Sequence, residues 1–397
     1  MKVGIITFHF PYNCGATLQC LALQTKLEQL GNEVSVINYR PWYHQNRYVA
    51  LKNPFYYSGK MMKKKDENDP IYRRLIRCAD GFARVILSWR NYGKFLPREK
   101  KFRTFIRRNL HETRVYRSIG QLRAAPPEED VYICGSDQLW NTKLTEGVFD
   151  PAYFLAFGDE RVRRMSYAVG ADFTGVENAQ EQLKAFLEGF ETVSLREEKC
   201  MPQIRAAISP NASSRIDLDP TFLLESSEYL PLLPQEALET QPFILTYTMP
   251  NESQPRVYNA ARILSERTGL KVIDVCGNPA QANKKIQDNR VCGPDEFLWY
   301  MQHAAYVLTN SFHGTAFSVI FRKQFAVIPH TITGNRVLEL LARLGLTDCC
   351  HQSGEEAAKG IETPVDYTVC ERELPRLRQQ SVDYLLACTT SSEHAAV

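Results

Sequence analysis

The chain has 397 residues, 44% of them apolar and 23% charged, with a formal net charge of +3. That balance excludes extensive disorder, and the length exceeds what one hydrophobic core usually serves, so two domains are expected. No run approaches the roughly 20 apolar residues of a membrane-spanning helix, and the opening MKVGIITFHFPYNCG lacks the apolar region and cleavage site of a secretion signal. An integral membrane or secreted protein is therefore not expected. The eleven cysteines lack paired spacing, and Cys349 adjoins Cys350, which points to reduced thiols rather than a disulfide framework or zinc site.

In chain order, residues 2–8 (KVGIITF) read as a strand. Residues 16–30 carry a helical stripe of Leu18, Leu21, Ala22, Thr25, Leu27 and Leu30 that stops at Gly31, and residues 33–39 (EVSVINY) are the next strand. This is a βαβ unit of a parallel sheet. Between residues 60 and 123 there are 19 Lys and Arg against 6 Asp and Glu, leaving the rest of the chain net acidic. Here Ile71, Leu75, Ile76, Ala79, Phe82, Ala83, Ile86 and Trp89 recur at helical spacing. Phe102, Phe105, Ile106 and Leu110 do so again, predicting two amphipathic helices. The charge suits a solvated helix face, or contact with an anionic surface of lipid headgroups or phosphate-rich substrate. Zinc-finger spacing, RRM aromatic motifs and KH loops are lacking, so nucleic acid is not an expected partner.

Strands at 131–134, 164–169 and 192–195 and a helix at 178–190 complete a first domain over residues 1–205, with the basic helical insert at about 60–123. A second domain, 206–370, alternates strands at 216–218, 243–247, 271–275, 305–309 and 324–328 with helices at 256–268, 295–303 and from 315. The stripe Leu374, Leu377, Val382, Leu385 and Leu386 predicts a C-terminal helix within 371–397 that packs back on the first domain. The expected fold is α/β, two Rossmann-like domains facing across a cleft.

In open parallel sheets, ligands bind beyond the carboxyl ends of the strands, so polar residues that follow apolar runs are the candidates. At 9–15 (HFPYNCG), Asn13 and Gly15 open a helix whose free amides favour an anion, although a plain turn fits equally. At 135–141 (GSDQLWN), turn chemistry accounts for Gly, Ser and Asp. It does not account for Gln138, Trp140 and Asn141 together, which suit a sugar through hydrogen bonds and an aromatic face. At 194–198 (SLREE), Arg196 is a planar fork matched to carboxylate or phosphate, while Glu197 and Glu198 read as acids that begin a helix. The segment 217–222 (DLDPTF), with Asp219 before Pro220, reads as a turn. At 309–314 (TNSFHG), Asn310, Ser311 and Gly314 bring a hydroxyl and free amides to a helix start, and His313 is the best acid/base candidate.

These five motifs in this order resemble the polysaccharide pyruvyl transferase family, through TFHFPYNCGATLQCLALQ, CGSDQLWN, SLREE, DLDPTFLL and NSFHGTAFSVIFRKQFAVIP. The resemblance spans residues 1 to about 346. It implies a GT-B-like architecture. The implied activity moves the enolpyruvyl unit of phosphoenolpyruvate onto two hydroxyls of one sugar, forming a cyclic pyruvate ketal and releasing phosphate. Under it, His313 and Asp137 are the expected catalytic residues, and Arg196, Asn310, Ser311 and Gly314 bind the donor. Asn13, Gly15, Gln138, Trp140 and Asn141 are expected to bind the acceptor. No metal and no redox cofactor is required; phosphoenolpyruvate is a co-substrate. Because polysaccharide repeat units are commonly built on lipid carriers, the expected acceptor is a lipid-diphosphate-linked sugar. The expected location is the cytoplasm, with peripheral contact at the cytoplasmic face of the inner membrane. Two other classes stay open: a GT-B glycosyltransferase using a nucleotide sugar, and a non-catalytic carbohydrate-binding protein.

Overall fold

A computed structural model of the chain describes residues 1–41, 43–44, 92–176, 178–275, 285–286, 288–331 and 334–390, with positions 79, 83, 85, 86, 89 and 283 besides. The first half supplies strands β1 (Lys2–Ile6), β2 (Glu33–Val36), β3 (Val131–Cys134), β4 (Asp137–Asn141), β5 (Arg163–Ser166), β6 (Val169–Asp172), β7 (Thr192–Leu195) and β8 (Ser213–Ile216). They form two all-parallel sheets of order β2-β1-β3-β5 and β4-β6-β7-β8. Helices cover both faces of such sheets, which is why VYIC of β3 is buried at all four positions.

The two sheets are halves of one bent surface. β3 pairs with β5 before the bend and β4 pairs with β6 after it, so both strands break at the same level, at Gly135–Ser136 and at Tyr167–Ala168. Ala168 and Asp137 take positive φ of 48° and 76° there, conformations costly for residues with a Cβ. Hydroxyl groups take over the interrupted ladder. Ser136 Oγ donates to Ala168 O at 2.8 Å, Ser194 N donates to Ser166 Oγ at 2.8 Å, and Ala168 N donates to Ser194 Oγ at 2.9 Å. The single strand predicted at 164–169 is thus two strands, and 137–141, predicted as a binding loop, is strand β4 after this bend.

The second half folds into β9 (Phe243–Tyr247), β10 (Lys271–Val275), β11 (Asp288–Arg290), β12 (Tyr306–Thr309) and β13 (Gln324–Val327), in the parallel order β11-β10-β9-β12-β13. The chain reverses its winding direction between β9 and β12, so the loops after these strands flank a switch point, where α/β sheets hold ligands. The architecture is two-domain, α/β and Rossmann-like. β8 lies at 213–216, ahead of the 216–218 predicted for it, and the helix predicted from residue 315 begins at Phe312, because Ser311 caps it.

Apolar packing joins the halves. Leu18 and Leu21 of the helix Cys14–Gln29, and Phe102 and Phe105 of the helix Tyr92–Asn109, share a buried cluster with Phe297, Leu298 and Met301 of the helix Pro294–His303. Each such buried side chain contributes about 1.5–3 kcal/mol. Lys101 Nζ adds an ion pair to Glu296 at 2.7 Å. The predicted stripe Phe102, Phe105, Ile106 and Leu110 therefore faces inward. The helix predicted over 71–89 lies outside the described residues apart from isolated positions. The C-terminal helix Thr368–Cys388 returns to the first half, where Tyr384, Leu385 and Cys388 pack with Val3, Ile5 and Val131.

Candidate active site

At the bend of the first sheet, Asp219 lies fully buried at the start of the 3-10 turn Pro220–Leu223. Its Oδ1 accepts from Thr221 N at 3.0 Å and Thr221 Oγ1 at 2.8 Å, an N-cap arrangement that fixes the carboxylate. Its Oδ2 accepts from Arg196 Nη1 at 2.7 Å and from Ser136 Oγ at 3.2 Å. His313 Nε2, from the second half of the chain, stands 3.7 Å from that same oxygen. Burial opposes ionisation of Asp219, but His313 and Arg196 outweigh it and hold the carboxyl well below the usual carboxylate range.

Arg196 follows β7 and is itself buried. Burial works against its charge, yet Glu197, Asp219 and Asp137 raise its pKa above the ordinary guanidinium value. Its plane lies over the ring of Phe312, 4.5 Å from the centroid, a cation–π contact. Nε and Nη2 have no hydrogen-bond partner, nor does Nε2 of His313. Buried polar nitrogens without partners are uncommon in folded proteins, and the gathering of these three around Asp219 makes this the candidate site.

His313 sits in the first turn of the helix Phe312–Ile320 and packs on Gly15, in the first turn of the helix Cys14–Gln29. A Cβ on residue 15 would lie 2.2 Å from the imidazole Cγ and Nδ1, so glycine is what lets the two helix starts meet. Asn13 caps the Cys14–Gln29 helix, its side chain accepting from Ala16 N at 3.2 Å.

Asp137 Oδ1 accepts from Gln138 N at 2.9 Å and holds the strained first residue of β4. Gln138 Nε2 donates to Glu197 Oε1 at 2.8 Å, and Gln138 Oε1 accepts from Asn141 Nδ2 at 3.0 Å. Gly170 makes room for this layer: a Cβ there would lie 2.1 Å from Gln138 Nε2 and 3.1 Å from Arg196 Nη2. Gln138, Asn141 and Glu197 line a small cavity with Arg336. Oε2 of Glu197 is buried without a partner.

The structure thus brings Arg196, His313, Gly15, Asp137, Gln138 and Asn141 together. Trp140 is corrected. It is 1% exposed, stacks on Phe154 at 4.8 Å and donates Nε1–H to Tyr153 O at 2.9 Å, so it is a core residue with no face for a sugar. Asn310 is corrected as well: its Oδ1 accepts from Met249 N, and its Nδ2 faces Met249 O, Asn251 Oδ1 and Ser253 Oγ at 2.9–3.1 Å. That amide is fully used in fixing the loop after β9. The Ser311 hydroxyl caps its own helix by accepting from Gly314 N, at a long 3.4 Å. A Cβ on Gly314 would lie 2.2 Å from Thr309 Oγ1, so this glycine serves packing. Sequence reasoning missed Asp219 as the hub, Glu197 and Arg336. For Asp219 the available signal was its position after a strand; Arg336 carried none.

The model of the family described as "Polysaccharide pyruvyl transferase" matches residues 13–331. A search of the curated proteins gives no match. Among solved structures, the chain is similar to a putative UDP-N-acetylglucosamine 2-epimerase from Listeria monocytogenes, with TM-score 0.56, 11% identity and coverage of 100% of this chain and 97% of the other. It is also similar to the UDP-GlcNAc 2-epimerase from Neisseria meningitidis bound to UDP-GlcNAc, with TM-score 0.51, 11% identity and coverage of 98% and 100%. At that identity the likeness shows the fold. The family model covers most of the chain, including Gly15, Asp137, Arg196, Asp219 and His313, and the chain belongs to the polysaccharide pyruvyl transferase family.

Proposed function

We propose that this transferase takes phosphoenolpyruvate as donor and builds a cyclic pyruvate ketal on one sugar of a polysaccharide precursor, releasing phosphate. The observation that carries the reading is the meeting of unpartnered Arg196 nitrogens and an unpartnered His313 Nε2 beside one buried carboxylate. The guanidinium edge suits a phosphate or carboxylate oxygen pair. His313 Nε2 gives a proton to the methylene carbon of the donor, which makes the adjacent carbon electrophilic. The first sugar hydroxyl adds to that carbon, the carbon–oxygen bond to phosphate breaks, and the second hydroxyl closes the ketal. Of the two hydroxyl protons, one restores His313 and the other leaves on phosphate. Asp137 and Glu197 are the carboxylates at hand to accept them in transit.

Gln138 and Asn141 face the acceptor. We assign it to a sugar on a lipid diphosphate, met at the cytoplasmic face of the membrane. Exposed Lys94, Lys100, Arg107 and Arg108 on the helix Tyr92–Asn109, and Trp89 at 48% exposure, support contact with anionic lipid. None of the described helices is long and apolar enough to cross a membrane. The test is incubation with phosphoenolpyruvate and lipid-linked oligosaccharides. Phosphate should be released together with a product heavier by one pyruvic acid less one water; an unchanged acceptor with no phosphate contradicts the reading.

A further inference from the structure

Two guanidinium groups from opposite halves of the chain address one aromatic ring. Arg196 Cζ lies 4.5 Å and Arg336 Cζ 5.9 Å from the centroid of Phe312. Arg196 commits Nη1 to Asp219 and leaves Nε and Nη2 buried and unpartnered. Arg336, in the first turn of the helix Asn335–Arg343, is partly buried and lines the cavity with Gln138, Asn141 and Glu197. Among the described residues, no carboxylate forms an ion pair with it. A guanidinium withdrawn from water is ordinarily paired. Burial and the like charge of Arg196 lower the pKa of Arg336 and outweigh the carboxylates of Glu197, Asp137 and Asp219, which raise it.

The nearby acids do not satisfy it. Asp219 is held by Arg196, Ser136 and Thr221, and Glu197 Oε1 is taken by Gln138. Asp137 uses Oδ1 to accept from Gln138 N, and the buried, unpartnered Glu197 Oε2 suits a hydroxyl proton of the second substrate.

We propose that Arg336 is the second arm of the donor seat: Arg196 and Arg336 together hold a ligand that carries two anionic groups, a carboxylate and a phosphate, on one small carbon frame. This rests on the donor reading above. It adds that selectivity for a doubly anionic donor comes from one guanidinium per domain, and that a ligand with one anionic group occupies the seat only partly.

The test is calorimetric binding of phosphoenolpyruvate and of inorganic phosphate to the wild-type protein, Arg336→Gln and Arg336→Lys, with the unfolding temperature of each unliganded variant. Phosphoenolpyruvate affinity should fall tenfold or more in Arg336→Gln and recover in part in Arg336→Lys. The unliganded Arg336→Gln protein should unfold at the same or a higher temperature, because the change breaks no ion pair among the described residues; loss of a merely structural arginine would instead lower it. Unchanged phosphoenolpyruvate affinity in Arg336→Gln overturns the seat, as does a wild-type protein that binds neither anion. Phosphate bound in an Arg336-dependent manner without any binding of phosphoenolpyruvate sustains the anion seat and overturns the donor reading alone.

Discussion

Arg196 and His313, 117 positions apart and on different Rossmann-like halves, converge on a single oxygen, Oδ2 of Asp219, at 2.7 and 3.7 Å. Removing the charge at that oxygen should undo both. Asp219→Asn is expected to cost about 3–5 kcal/mol of stability, the range for breaking a buried ion pair from one side. The pH dependence has a definite sign. A carboxyl held below its ordinary value stabilises the fold above pH ~4 and loses that contribution as pH falls through its own depressed value. Denaturant unfolding from neutral to strongly acid pH should show the stability gap between wild type and Asp219→Asn closing only at the acid end.

His313→Gln should lower turnover about a hundredfold or more while lowering the unfolding temperature less than Asp219→Asn does, because the imidazole Nε2 stands 3.7 Å from Asp219 Oδ2 and makes no hydrogen bond in the fold. Steady-state kinetics and a melting curve on the same preparation check both halves of this expectation.

Gly15→Ala tests the meeting of the two helix starts. The added methyl would lie 2.2 Å from the His313 ring, and either the ring or the helix must shift. Overpacking of this kind costs about 1–3 kcal/mol. Displacement of His313 should lower kcat more than it raises the donor KM, since Arg196 is untouched.

Trp140→Phe separates a core residue from a sugar platform. Loss of the Nε1 hydrogen bond to Tyr153 O leaves a buried carbonyl unpaired and should destabilise the protein by about 1–3 kcal/mol. The acceptor KM should not change; a rise in that KM without destabilisation would restore Trp140 to the site.

Contact with membrane is read by vesicle sedimentation. Replacing Lys94, Lys100, Arg107 and Arg108 by Gln should abolish binding to vesicles containing anionic lipid at low salt, as each basic residue near such a surface contributes about 1 kcal/mol. Binding unaffected by these changes, or by salt, would contradict docking through this face.

The fold was legible where periodicity was strong. β3, β9 and β10 lie at their predicted bounds because VYIC, FILTY and KVIDV are short apolar runs with turn residues on either side. The bend was not legible. Positive φ at Ala168 belongs to a residue with no intrinsic preference for it, and the hydroxyl bonds of Ser136, Ser166 and Ser194 around the break support it. The same limit applied to side-chain roles. Trp140 and Gln138, two positions apart on β4, would share a face of a regular strand, but the pairing with β6 shifts register between Asp137 and Trp140; the indole enters the core and the amide reaches Glu197. Asp219 looked like a turn residue because its partners, Arg196 and His313, are distant in sequence.

The central claim, that the Arg196–His313 site accepts phosphoenolpyruvate, is tested most directly by titrating the wild-type protein and Arg196→Gln with phosphoenolpyruvate in a calorimeter, with UDP-N-acetylglucosamine as the comparison ligand. Saturable binding of phosphoenolpyruvate to wild type, its loss in Arg196→Gln, and no binding of the nucleotide sugar are predicted. Binding of the nucleotide sugar in an Arg196-dependent manner, with none of phosphoenolpyruvate, would contradict the account.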